Sequence, residues 1–166
     1  MNIVVCVKYV PDSQADLTFS QSDNTTDRLG VEGLLSELDE YAIEAALKLV
    51  EAEGAQEGGV TVLTVGPEKA ADAIKKSLQM GAHAGVHISD EAIQGSDAAA
   101  TSLILAEAIK KIGSTAATDL VLTGMASTDG TMGVIPAMLA ERLGLPQVTL
   151  ASELTVQDGT VTIRRD

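Results

Sequence analysis

Residues 124–135 read GMASTDGTMGVI and carry the clearest chemical signal in the chain. Gly124, Gly130 and Gly133 are interleaved with Ser127, Thr128, Asp129 and Thr131, with Met125, Ala126 and Met132 between them. Val134 and Ile135 then open a helical run that stops at Gly144. Small residues let backbone N–H groups approach an anion, hydroxyls add donors, and a helix N-terminus adds partial positive charge. Such a loop can cradle a phosphate without any lysine, although the same composition also makes an ordinary turn. Other chemistry is harder to assemble. G-x-G-x-x-G after the first strand, G-x-x-x-x-G-K-[ST] and G-x-S-x-G are all absent, which removes the usual dinucleotide turn, the P-loop and the nucleophile elbow. His83 and His87 lie across a turn and a strand with no Glu at metal spacing, so His87 is expected to be structural. Cys6 sits inside an apolar run, either as a small core thiol or as a ligand contact at the strand's end. Lys8 is expected to be a solvated stem, and Asp39, Glu40 and Glu44 the wet face of a helix. No nucleophile, base and orienter come together, so no catalytic residue is assigned and an enzyme is not expected.

The elements that must position this loop follow from the hydrophobic pattern. Residues 3–8 and 60–65 are consecutive apolar runs, as strands covered on both faces should be, and 84–88 and 119–123 are shorter ones. Between them lie helical segments. The first starts after Ser36, with Leu38, Tyr41, Ala42, Ala45, Leu49 and Ala52 as its expected apolar face and Gly54 at its exit. The second spans 68–80 before Gly81, the third 97–112 behind a Ser96 cap, and the fourth is VIPAMLAERLG. Residues 11–30 are polar and read as a long loop or small hairpin at the first strand's carboxyl end. Repeated β-then-α units predict an α/β fold, a doubly wound parallel sheet with helices on both faces, with a further strand near 147–154. The chain reads as one nucleotide-binding domain over 1–166. Asp158-Gly159 between alternating runs predicts a closing antiparallel hairpin, whose exposed edge calls for cover from another chain or a further segment.

Charge narrows the partners. Eleven Lys and Arg stand against 24 Asp and Glu, a net charge of −13, which repels nucleic acid and anionic lipid and leaves no obvious cationic alternative to the glycine loop. Two Tyr, one Phe and no Trp give no aromatic platform for single-stranded nucleic acid. A lone cysteine excludes an intrachain disulfide and suits a reducing compartment. No apolar run approaches the roughly 18 residues of a membrane span, so a cytoplasmic protein without membrane insertion is expected.

Six stretches in a fixed order, VVCVKYVPD, DEYAIEAALKL, VTVLTVGP, KSLQMGAHAGVHI, DLVLTGMASTDG and LAERLGLPQVTLASEL, resemble the β subunit of electron transfer flavoproteins, most closely of the bacterial type. The resemblance implies a Rossmann-like, adenine-nucleotide-binding fold in an electron-carrier subunit. It implies an α-subunit partner holding most of the FAD, flavin dehydrogenases served by the complex, and an AMP, or a second FAD, in the β subunit. Carried over by position, the nucleotide site would comprise Cys6, then Ser36, Glu37, Leu38 and Asp39, then Val65, then Gly124 to Ile135. The phosphate would lie on the backbone of the last segment and the adenine near Cys6, Ser36 and Val65. Two departures stand out: Ser36-Glu37-Leu38-Asp39-Glu40 replaces the family's NPFDE or NPYDE, and Asp129 to Val134 lacks the second acid and the glutamine of the usual loop. A family segment that docks on partner dehydrogenases lies beyond residue 166. A stress or regulatory nucleotide-binding module of related fold is the alternative. Its G-x2-G-x9-G-[ST] loop would start at Gly130 and Gly133 but meets Leu143 where glycine is required.

Overall fold

In the computed structural model, residues 1–28, 30–54 and 58–166 are described. The parallel runs form as expected. Asn2–Cys6 (β1), Gly59–Val65 (β4), Ala84–Ile88 (β5) and Leu120–Thr123 (β6) build a four-stranded parallel sheet in the order β5-β4-β1-β6. The numbering leaves room for two short strands, Tyr9–Pro11 (β2) and Gly33–Leu35 (β3), which pair antiparallel and close the base of the long polar segment. That pair was not legible in the sequence. Within the segment Phe19 bridges Thr26, so it is the small hairpin that its composition allowed.

Because β1 and β4 are apolar on both faces, each face needs its own helices. Ile3, Val5 and Val7 pack under Glu37–Glu53 (α1) and Ala71–Met80 (α2) with Val60 and Val62. Val4, Cys6 and Leu63 pack on the other face under Ala98–Gly113 (α3) and Ile135–Leu143 (α4), with Leu105, Ile109 and Leu139. Arg142 fastens α4 to α3, its Nε donating to Ser102 Oγ at 2.9 Å and an Nη to the Ala99 carbonyl at 3.1 Å. No helix among the described residues is long and apolar enough to cross a membrane.

The structure corrects four local readings. On α1 the buried stripe is Asp39, Ala42, Ile43, Ala46, Leu47 and Val50, and Tyr41 is 75% exposed. Alanines occupy both candidate stripes, so composition could not fix the helix phase, and burial of Asp39 rotates it by about one residue. Ser36 holds the N-cap position, but its hydroxyl makes no capping bond. The third helix is capped by Asp97, which accepts from the Ala100 N–H at 2.8 Å, while Ser96 turns back to the Ile93 carbonyl. No strand forms over 147–152: Leu150 has a left-handed φ of +58°, and the chain becomes extended only from Glu153. Pro146 also lacks the N–H that a ladder needs.

From there Glu153–Gln157 (β7) and Thr160–Arg164 (β8) form the expected hairpin. Asp158 and Gly159 both have positive φ, +50° and +73°, as the twist-matching two-residue turn demands. The α1 correction is directly testable. Ile43→Ala, at a fully buried site, is expected to cost about 2–5 kcal/mol in urea unfolding, and Tyr41→Ala less than about 0.5 kcal/mol; equal costs would restore the stripe read from the sequence.

Candidate functional site

The chain runs from β1 to β4 and β5 on one side and then returns to place β6 on the other, so the winding reverses between β1 and β6. In open α/β sheets that reversal leaves a crevice at the carboxyl ends of the two strands. Three segments meet there: Lys8 after β1, Ser36 to Asp39 at the start of α1, and the loop after β6.

Lys8 joins all three. Its N–H donates to Asp39 Oδ2 at 2.8 Å, and its carbonyl accepts from the Ser36 N–H at 2.9 Å. Its ammonium donates to both Asp129 oxygens at 2.9 Å, with Ser127 Oγ at 3.4 Å. Arg28, from the long polar segment, reaches the same carboxylate, Nε to Oδ2 at 2.8 Å. Lys8 is therefore not a free solvated stem, and Asp39, 6% exposed, is not on a wet face. The crevice also has the cations that the overall charge seemed to deny. The Lys8 and Asp39 corrections have one cause: the residues just past a strand's end and a helix's first turn become neighbours only when β1 and α1 pack.

Gly124 is required by that closeness. A Cβ there would collide with Asp39 Oδ1 and stand 3.1 Å from the Leu38 carbonyl group. Gly130 differs, because a Cβ there would meet only Ser127 Oγ at 3.4 Å and Lys8 Nζ at 3.9 Å. The protein's own packing tolerates a side chain at 130, but that side chain would enter the space before the Lys8 ammonium. The loop turns over Thr128 to Gly130, with the Thr131 N–H donating to the Ser127 carbonyl at 3.0 Å. Thr131 holds a φ of +50°, unusual for a β-branched residue. Met125 and Met132 are exposed on it, and Val134 leaves the start of α4 without a side-chain cap, although Pro136 removes one N–H from that turn. Ala126 and Thr128 are half-buried within it.

Cys6 and Val65 pack at the same end of the sheet but into the core beneath α3 and α4, whereas Ser36 lies with α1 on the other face. Burial, and secondarily the Asp39 charge, push the Cys6 thiol up to about 12, so it is no thiolate nucleophile. Ser36 Oγ and Thr64 Oγ1 are buried without a partner among the described residues. His87 Nε2 meets the Gly66 carbonyl at 3.0 Å, the structural role expected of it. Sequence reasoning missed Lys8 and Arg28; a polar residue ending a buried strand at a switch point was a usable signal for Lys8, and Arg28 had none.

The sequence profile of the electron transfer flavoprotein domain matches residues 23–166. The chain belongs to that family. Relatives similar to it include the electron transfer flavoprotein subunit beta of Mycobacterium bovis, 44% identical over 99% of this chain and 62% of its own length. Others are Protein FixA of Azorhizobium caulinodans, 42% identical over 95% of this chain and 55% of its own length, and the subunit beta of Megasphaera elsdenii, 36% identical over 100% and 62%. The chain thus spans about 62% of the length of the mycobacterial relative.

In this electron transfer flavoprotein domain the two crevice carboxylates titrate in opposite directions. Burial pushes Asp39 up to about 7, against the Lys8 and Gly124 N–H groups that favour its charge. Asp129 also feels burial, but hydrogen bonds and charge from Lys8, then Ser127 and Arg28, hold it well below the usual carboxylate range. A raised folded pKa gives stability that is full below about pH 4 and lost as pH rises through 7; a lowered one gives stability present above about pH 4 and lost as acid is added. Urea midpoints from pH 3 to 8 are therefore expected to show Asp39→Asn flattening the limb between pH 4 and 7, with Asp129→Asn flattening the acid limb. Asp39→Ala, which strips the acceptor from two backbone donors, is expected to cost about 2–5 kcal/mol. A loss under about 0.5 kcal/mol would show that the clasp is dispensable.

Proposed function

We propose that the chain is the nucleotide-holding part of an electron-carrier β subunit, with AMP in the crevice between β1 and β6. The observation that carries this reading is the convergence of Lys8, Ser127 and Gly130 on one open space at the switch point. The residues fit the group in three respects. A lysine ammonium and a serine hydroxyl face the space, the glycine leaves room for a phosphate oxygen, and the first turn of α4 has no side-chain cap. Ser36 and Thr64 keep buried hydroxyls unspent near the carboxyl ends of β1 and β4. The phosphate sits before Gly130 and Lys8, on the backbone of Gly124 to Ile135, and the nucleoside extends toward Ser36 and the strand ends at Cys6 and Val65. Glu37 to Asp39 shape its floor.

The relatives' shared description as electron transfer flavoprotein subunit beta supports pairing with an α subunit that holds FAD, and transfer of electrons from flavin dehydrogenases to an acceptor. A flavin bound at that interface supplies the redox chemistry; this chain supplies a rigid α/β body and a nucleotide seated against three segments that Lys8 already joins. Its single buried thiol suits a cytoplasmic carrier.

Calorimetry with AMP, ADP and FAD tests the site. AMP is expected to bind, and Gly130→Val to abolish binding while leaving the urea midpoint within about 0.5 kcal/mol of wild type, since its side chain enters open space. AMP affinity unchanged by Gly130→Val would place the nucleotide elsewhere. Purified without an α subunit, the protein is expected to be colourless, because no dinucleotide fingerprint is present; yellow protein with a flavin spectrum would contradict the division of cofactors between subunits.

A further inference from the structure

The Asp129 carboxylate is 1% exposed and is held by cations from two distant places, Lys8 behind β1 and Arg28 on the long polar segment. Lys8 and Asp129 cancel. Arg28 then adds a positive charge to that neutral pair, beside the buried Asp39 carboxylate and in a chain whose overall charge is −13. Arg28 thus adds to the attraction that the Lys8 ammonium, the Ser127 hydroxyl and the start of α4 offer a phosphate against the repulsive mean field. The Arg28 side chain is 43% exposed, so it stands at the mouth of the crevice and not beneath it. Its Nε is well engaged, but among the described residues its Nη1 makes only a long contact, 3.4 Å to the Thr26 carbonyl. A guanidinium carries five donors in a fork matched to phosphate, and only short, straight contacts use them fully.

We propose that Arg28 is a nucleotide-specificity residue: it turns its fork to the phosphate end of the bound nucleotide and makes the site prefer a phosphorylated nucleoside to a bare one. This rests on the nucleotide reading above and adds to it a residue from outside the glycine loop. Asp129 holds Arg28 in place before the nucleotide arrives, so little rotamer freedom is lost on binding. The segment carrying Arg28 is tied down at its base by β2 and β3 and, on the arm that returns from its Phe19–Thr26 hairpin, by this contact alone among the long-range bonds described for it. The guanidinium is consequently delivered to the crevice by the hairpin of Phe19 and Thr26 and not by sequence proximity.

The test compares AMP with adenosine by calorimetry in the full-length protein, for wild type, Arg28→Gln and Arg28→Lys, with far-UV dichroism and urea unfolding as checks on folding. Arg28→Gln is expected to weaken AMP by at least about tenfold while adenosine stays within about twofold, and to flatten the salt dependence of AMP binding. Arg28→Lys is expected to recover part of the loss, and serves alone if the neutral variant does not fold. Equal weakening of AMP and adenosine would mean that Arg28 only latches the segment, and an unchanged AMP-to-adenosine ratio would mean that it does not read the phosphate; either overturns the proposal and leaves the nucleotide site standing. Wild-type protein that binds neither ligand overturns the nucleotide reading and this inference together.

Discussion

Everything at the functional end of this domain hangs on how residue 8 is held. The Lys8 peptide is clasped from both sides by the start of α1, through the Asp39 carboxylate and the Ser36 N–H, while its ammonium grips Asp129 in the loop after β6. Backbone groups at the end of a buried strand have no ladder partner and little water, so they must find acceptors and donors locally. Asp39 meets that need at the cost of burying a carboxylate, and Gly124 is small because the carboxylate must fit beside it. Strand, helix and loop are therefore fixed relative to one another before any ligand is considered, which is the preorganisation that the proposed nucleotide site requires.

The same clasp gathers positive charge in a strongly acidic protein. Most of its described ion pairs are short-range and exposed, such as Lys48 with Glu44, Lys75 with Asp72 and Lys110 with Glu107, and each contributes little. Lys8 and Arg28 instead cross 121 and 101 residues to one carboxylate that water scarcely reaches. Desolvation strengthens those contacts and makes them sensitive to geometry. The excess of negative charge elsewhere sets this cluster apart from the rest of the surface.

Much of the architecture was legible because it is periodic. β1 and β4 announce themselves as uninterrupted apolar runs, the helices stop at Gly54, Gly81 and Gly144 in left-handed backbone, and Asp158-Gly159 sets the last turn. The glycine loop was legible from its residue types. Less regular features were not. The β2–β3 pair has three residues on each side, too few for a pattern, and Leu150 breaks an extended run by adopting a conformation its side chain disfavours. The phase of α1 was misread because alanine is nearly neutral between core and surface, and the buried residue that decides it is an aspartate.

Sequence by itself determined the parallel α/β plan, the covered strands, the terminal hairpin and the glycine-rich loop after β6, since each follows from local spacing and from the stereochemistry of glycine, proline and branched side chains. Tertiary structure alone decided which charges share that loop. Lys8, Arg28, Asp39 and Asp129 lie far apart along the chain, and nothing in their individual settings marks them as neighbours. Their meeting depends on the reversal of strand order between β1 and β6, which brings the two carboxyl ends together, and on the packing of α1 against β1, which buries a carboxylate where two backbone donors need it. Long-range electrostatics of this kind has no period to read, because its geometry is set by the sheet's winding and not by residue spacing.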